Sequence, residues 1–150
     1  MREKAEALQR YLAGDPLDPA FTAQWYGLMR EVTGHGKAVQ RVRVVTEPHT
    51  DYTRFAIAVT AGNVAAGEDI RWLPRGHAPE ALPDDDWWLF DDRLVAWTVF
   101  ERDGTALLGW AASTDEVLTR HYARIRDQLW ARAIPHDDYV DPESGGRACP

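Results

Sequence analysis

Arg41-Val-Arg-Val-Val-Thr-Glu-Pro-His-Thr-Asp-Tyr-Thr-Arg-Phe55, answered by Gly67-Glu-Asp-Ile-Arg-Trp-Leu-Pro-Arg75, decides the fold of this chain. Val42, Val44 and Val45 make a β-branched run that packs well on a pleated sheet, and Pro48 ends it. The next segment, Thr50 to Ala66, sets Tyr52, Phe55, Ala56, Val59 and Asn63 on one helical face. Thr50 or Asp51 can cap that helix, and Gly67 suits the left-handed position beyond its C-terminus. Asp69 to Leu73 reads as a second strand. Strand, helix and strand at this length imply a right-handed crossover between two parallel neighbours. Arg43 and Arg71 then fall at comparable positions of adjacent strands, so each needs a carboxylate or an anion.

Upstream, residues 2–13 form a helical pattern with Leu8, Tyr11 and Leu12 as its stripe, ended by Gly14-Asp-Pro16. A second helix starts at Asp18-Pro19, where aspartate caps and proline fits the first turn. Its stripe is Phe21, Trp25, Leu28, Met29 and Val32, with Gly34 and Gly36 as the stop. Downstream, Pro74 to Pro83 is a loop, Trp87 to Phe90 a strand, and Arg93 to Phe100 another after the break at Asp91-Asp92. Arg102-Asp-Gly104 signals a turn into a hairpin partner from Thr105 to Ala112. Ser113-Thr-Asp-Glu116 is a capping-box pattern opening a long helix to about Ala133, which Pro135 ends. The expectation is one mixed α/β (α+β) domain over 1–140, with residues 141–150 a loose tail. Its mixed sheet has about five strands, one parallel β-α-β unit, an antiparallel hairpin, an N-terminal helical pair and a long C-terminal helix.

The 150 residues suffice for a real core. Seven Trp, five Tyr and four Phe are many for this length, and they read either as core or as an aromatic partner surface. A net charge of −7 argues against binding nucleic acid or anionic membrane directly. Cys149 is the single cysteine, so no internal disulfide can form, which suits a reducing compartment. No secretory signal and no run long enough to span a bilayer is present, and the protein is read as cytoplasmic.

In an open α/β sheet, ligands settle outside the carboxyl ends of parallel strands. That address here is Thr46 to Arg54 with Pro74 to His77, where the start of the crossover helix favours an anion. Thr50, Asp51, Tyr52, Arg54 and Arg75 are the candidate ligand-binding residues. The bland alternative is that His49 and Thr50 build the turn while Arg54 pairs with Glu47, Asp51 or the acidic run at 84–86. Glu68 and Asp69 lie at the opposite strand end and read as partners for Arg41 or Arg43. Asp84-Asp-Asp86 with Asp91-Asp92 lacks a calcium-loop pattern, and the five histidines show no metal-ligand spacing, so neither metal nor cofactor is expected. No Gly-rich phosphate loop or nucleophile elbow occurs.

Several segments together resemble an uncharacterised actinobacterial family, domain of unknown function 6879. They are Arg41-Val-Arg-Val-Val45 with Glu47-Pro48, Thr50-Asp51-Tyr52 and Arg54-Phe55; Ala66-Gly-Glu-Asp-Ile-Arg71; Asp86-Trp-Trp-Leu-Phe-Asp-Asp92; and Arg126-Asp127 with Ala133-Ile-Pro135. The resemblance spans nearly the whole chain. It implies a setting like that of small actinobacterial regulators and carries over no catalytic residue. It also implies a further helical segment ahead of residue 1 in many other members, without which one face is expected to be less covered or self-association favoured.

Two functions follow from different classes. The leading expectation is a non-enzymatic regulatory or accessory protein, binding a protein partner or itself and a small anionic ligand. The alternative is a small enzyme of specialised metabolism or nucleotide chemistry. There His49 would be the acid/base, oriented by Asp51 or Glu47, and Arg54 and Arg75 would hold an anionic substrate. Histidine suits that role because its ordinary pKa of about 6.5 lies near working pH.

Overall fold

The computed structural model describes residues 2–79, 81–83, 85–100 and 106–140. In chain order its elements begin with α1 (Arg2–Leu12), α2 (Pro19–Gly34), β1 (Gln40–Val45), α3 (Asp51–Ala65) and β2 (Asp69–Pro74). They continue with β3 (Trp87–Phe90), β4 (Leu94–Phe100), β5 (Ala106–Ser113), α4 (Glu116–Arg132), β6 (Ile134–Pro135) and α5 (His136–Val140). The chain divides into two compact units, Met1–His77 with Ala133–Pro150, and Ala78–Arg132. The turn expected at Arg102–Gly104, Asp84 of the acidic triplet, and the tail with Cys149 lie outside the described residues.

The first unit is built on the strand–helix–strand segment. β1 and β2 pair in parallel, as the crossover requires. Thr50 caps α3, its Oγ1 accepting from the Thr53 amide at 3.2 Å. Gly67 follows α3 at φ 104, and a Cβ there would run into Thr33 of α2, so both backbone and space demand glycine. Asp18 caps α2 by accepting from the Ala20 amide at 2.9 Å. Phe55 of α3 is buried under Tyr11 of α1 and Phe21 of α2, with ring centroids at 5.5 and 6.0 Å. Burying such rings supplies most of the helical stability that short helices lack alone.

Three expectations need correction here. The buried stripe of α3 is Thr53, Phe55, Ala56, Thr60 and Asn63, which leaves Tyr52 at its exposed rim, and Leu12 and Leu28 are exposed as well. The register sets Arg43 opposite Trp72 and Arg71 opposite Val42. Side chains alternate along a strand, so the two arginines lie on opposite faces rather than side by side. The strands also form two sheets of three, β1-β2-β6 and β3-β4-β5, not one sheet of five. The far edge of β2 is taken by Ile134 and Pro135, antiparallel to Trp72 and Arg71. Proline has no N–H to offer a further strand, so that sheet stops there.

In the second unit, β3, β4 and β5 are antiparallel in sequence order. Asp91 and Asp92 join β3 to β4 with φ of 50 and 56, the two left-handed residues that a tight hairpin turn needs, and the Arg93 amide donates to the Phe90 carbonyl at 2.9 Å. Tyr122 of α4 packs edge-on to Trp87 and Trp97, and the Trp97 indole donates to its hydroxyl at 2.8 Å. α4 is capped by Asp115, whose Oδ1 accepts from the Val117 and Leu118 amides, while Ser113 supports the Asp115 amide. The capping-box reading thus found the helix start but placed the cap two residues early.

Candidate functional site

At the carboxyl end of β1, Val45 leads into a loop with a cis Glu47–Pro48 peptide, and His49 follows. Tyr139 of α5 reaches this loop. Its hydroxyl donates to Glu47 Oε1 at 2.7 Å and lies 3.0 Å from His49 Nε2. The tyrosine's one hydrogen is committed to Glu47, so the contact with His49 requires Nε2–H to donate to the phenolic oxygen. His49 Nδ1 is 3.4 Å from the Thr46 carbonyl. Burial, reinforced by the Glu47 carboxylate, pushes the Tyr139 phenol above its usual range and keeps it a donor. His49 is therefore joined to Glu47 through a neutral hydroxyl, and not to Asp51.

Beneath this lies an indole. The Tyr139 ring stacks on Trp72 of β2 with centroids 5.5 Å apart and planes 13° from parallel. Trp72 is buried, its Nε1–H donates to His136 Nδ1 at 3.0 Å, and the Arg43 guanidinium lies over it at 5.7 Å. His136 must accept at Nδ1, so its ring is neutral with the proton on Nε2. Burial lowers the His136 pKa, Arg43 lowers it further, and Asp137 opposes both. Trp72 packs with Val45 and Ala56, and Ile57 and Tyr139 close over that group.

Three of the expected ligand residues meet at the start of α3. Arg54 donates to the His49 carbonyl at 2.7 Å and bonds Asp51, while Thr50 serves as the cap. These are contacts that build the turn and brace the helix end. Tyr52 is 43% exposed and Arg75 sits exposed in a short 3-10 turn after β2, where it makes no ion pair among the described residues. Residue reasoning named His49 and Glu47 but missed Trp72, His136 and Tyr139. The pair His136 and Tyr139, three apart after Pro135, was the available signal.

The opposite end of the same strand pair holds a buried carboxylate. Glu68 accepts from Arg41 at 2.8 Å, from the Trp25 indole at 2.8 Å and from the Asn63 amide. Arg41 also lies over Trp25 at 5.3 Å. Asp69 faces Arg71 at 3.6 Å. Among the described residues no three His, Cys, Asp or Glu side chains converge as a metal site would require. Nor is any helix long and apolar enough to cross a membrane.

Fold and site together define an α+β protein in which a histidine is tied to a carboxylate through a tyrosine. The chain belongs to the family described as Domain of unknown function (DUF6879), whose model matches residues 1–141. No curated protein and no solved structure matches the chain.

Proposed function

We propose that the chain is a non-enzymatic regulatory or accessory protein that binds a protein partner. The observation that carries this reading is the aromatic face of the β3–β4–β5 sheet. Trp87 and Trp97 turn toward Tyr122 of α4, so the alternation of side chains puts Trp88, Phe90 and Trp110 on the other side. Trp88 and Phe90 stack at 6.5 Å, Phe90 is 49% exposed and Trp110 61% exposed. Aromatic residues are enriched where protein surfaces meet, and clustered exposed ones mark such places. Part of the tryptophan excess is thus on the surface instead of in the core.

The site at β1 supports the same reading by what it lacks. Nε2 of His49 and the guanidinium of Arg54 are engaged by the protein's own groups, and the Nδ1 lone pair of that tautomer faces the Thr46 carbonyl oxygen. A general base needs a free face toward a substrate proton. A small anionic ligand remains part of the proposal only at the exposed Arg75. The test is affinity capture from host extract with the intact chain and with a Trp110→Ser, Phe90→Ser variant of unchanged melting temperature. A stoichiometric protein retained by the first and lost by the second is the expected result. Equal recovery by both, or no stoichiometric partner at mild salt, would reject the proposal.

One observation favours a second reading, a small enzyme using His49 as acid/base: the ring is connected to Glu47 through Tyr139. That reading requires Tyr139 to leave the loop when substrate enters. Turnover of any phosphate- or carboxylate-bearing metabolite, abolished by His49→Gln, would establish it.

A further inference from the structure

The geometry points to β6–α5 being a proton-sensitive latch, held shut over the carboxyl end of β1 by the neutral ring of His136. The segment is short. β6 contributes two residues of pairing to β2, and α5 is a helix of five residues, too brief to be stable by itself. Beyond that pairing, two of its side chains reach into the first unit. His136 takes the Trp72 indole hydrogen, and Tyr139 stacks on the same indole while bonding Glu47.

Only one of these holds fails on protonation near neutrality. With a proton on Nδ1, His136 would present an N–H to the Trp72 N–H, and two donors 3.0 Å apart repel. The new cation would also be buried beside Arg43, which lies over the same ring system. Asp137 of α5 is the acid acting on His136, and it is exposed. β2 presents the Trp72 indole and, opposite Pro135, Arg71, itself engaged with Asp69. The charged groups at the start of α3, Asp51 and Arg54, are paired with each other. Glu47 and His49 face Tyr139 rather than His136. Among the described residues no acid on a neighbouring element acts on His136, so the ring sheds the proton or leaves its seat. Opening would uncover Trp72 and the second edge of β2, and free Glu47 and His49 from Tyr139.

Amide hydrogen exchange on the intact chain, corrected for intrinsic rates, tests this between pH 7.5 and 5.5. A ring that titrates near 6.5 when released and below it when seated favours opening by up to about tenfold at the lower pH. The expected result is that gain in exchange over residues 134–140, with the amides of β1 and α3 unchanged. In His136→Asn, a side-chain oxygen replaces Nδ1 as acceptor and cannot be protonated, so the gain disappears. In Tyr139→Phe, opening rises at both pH values while the ratio between them persists. Protection of 134–140 that is constant with pH would overturn the proposal. So would an equal gain in His136→Asn, or a loss spread equally through β1 and α3. Should His136→Asn not fold, the wild-type profile and the Tyr139→Phe ratio still decide.

Discussion

The two ends of the β1–β2 pair use the same kinds of residue, an acid, a base and tryptophans, to opposite ends. At the amino end the Glu68 carboxylate is wholly buried and saturated by Arg41, Trp25 and Asn63. At the carboxyl end the Arg43 guanidinium lies over Trp72, and beside it two histidines, a phenol and an exposed glutamate are linked through hydrogens that can move. Arginine does not give up its proton in proteins, whereas imidazole does so near neutrality. The difference teaches that a buried polar cluster is structural when its charges are permanent, and responsive when its members titrate.

The comparison breaks most readily at Glu68. Replacing it with Ala takes the buried carboxylate away from the half-buried Arg41, the Trp25 indole and the Asn63 amide, and a pair this far from water costs about 2–4 kcal/mol to break. The unfolding free energy of Glu68→Ala from urea titration should fall by that amount relative to wild type. A loss below about 1 kcal/mol would mean that this end is no more rigid than the other. Gly67→Ala comes next, adjoining the same node. It forces alanine to φ 104 and drives its Cβ into Thr33, for an expected loss of about 1–3 kcal/mol by thermal or urea denaturation.

How much of this contrast the sequence revealed depended on how local each signal was. The valine run, the Thr50 cap and Gly67 each fix structure within a few residues, and they placed β1, α3 and β2 correctly as a parallel unit. Glu68 was matched to Arg41 because both lie at one end of adjacent strands. The latch was invisible for the opposite reason. A two-residue strand containing Pro135 and a five-residue helix carry no periodicity to read. Their meaning comes from partners 64 positions away at Trp72 and 90 away at His49. The register error at Arg43 and Arg71 has a similar origin, since one residue of offset exchanges every side chain between faces and nothing local reports it.

At the carboxyl end the expected losses are smaller. Tyr139→Phe keeps the ring on Trp72 and removes one hydroxyl, which is worth about 0.5–1.5 kcal/mol by chemical denaturation. A loss above about 3 kcal/mol would show that the loop at Glu47 depends on this hydroxyl as the amino end depends on Glu68. A change near zero would mean that stacking alone seats α5.

The smallest effect is the dependence of global stability on pH through His136, and its sign follows from the direction of the shift. Burial holds the folded pKa of His136 below the ordinary 6.5. Between the folded value and 6.5 the unfolded chain binds more protons than the folded one, so stability rises with pH in that window. The contribution is complete above about 6.5, declines as pH falls through that value, and levels off below the folded pKa. Urea unfolding of wild type at pH 7.5 and 5.5 should show the loss, and His136→Asn should show less of it. The interval from pH 7.5 to 5.5 lies above the ordinary carboxylate range, which separates the measurement from general acid denaturation. If the variant loses as much stability as wild type over this interval, another group is responsible. The carboxyl end would then owe its pH response to something other than the indole–imidazole bond, and the contrast between fixed and titrating clusters would have to be drawn elsewhere.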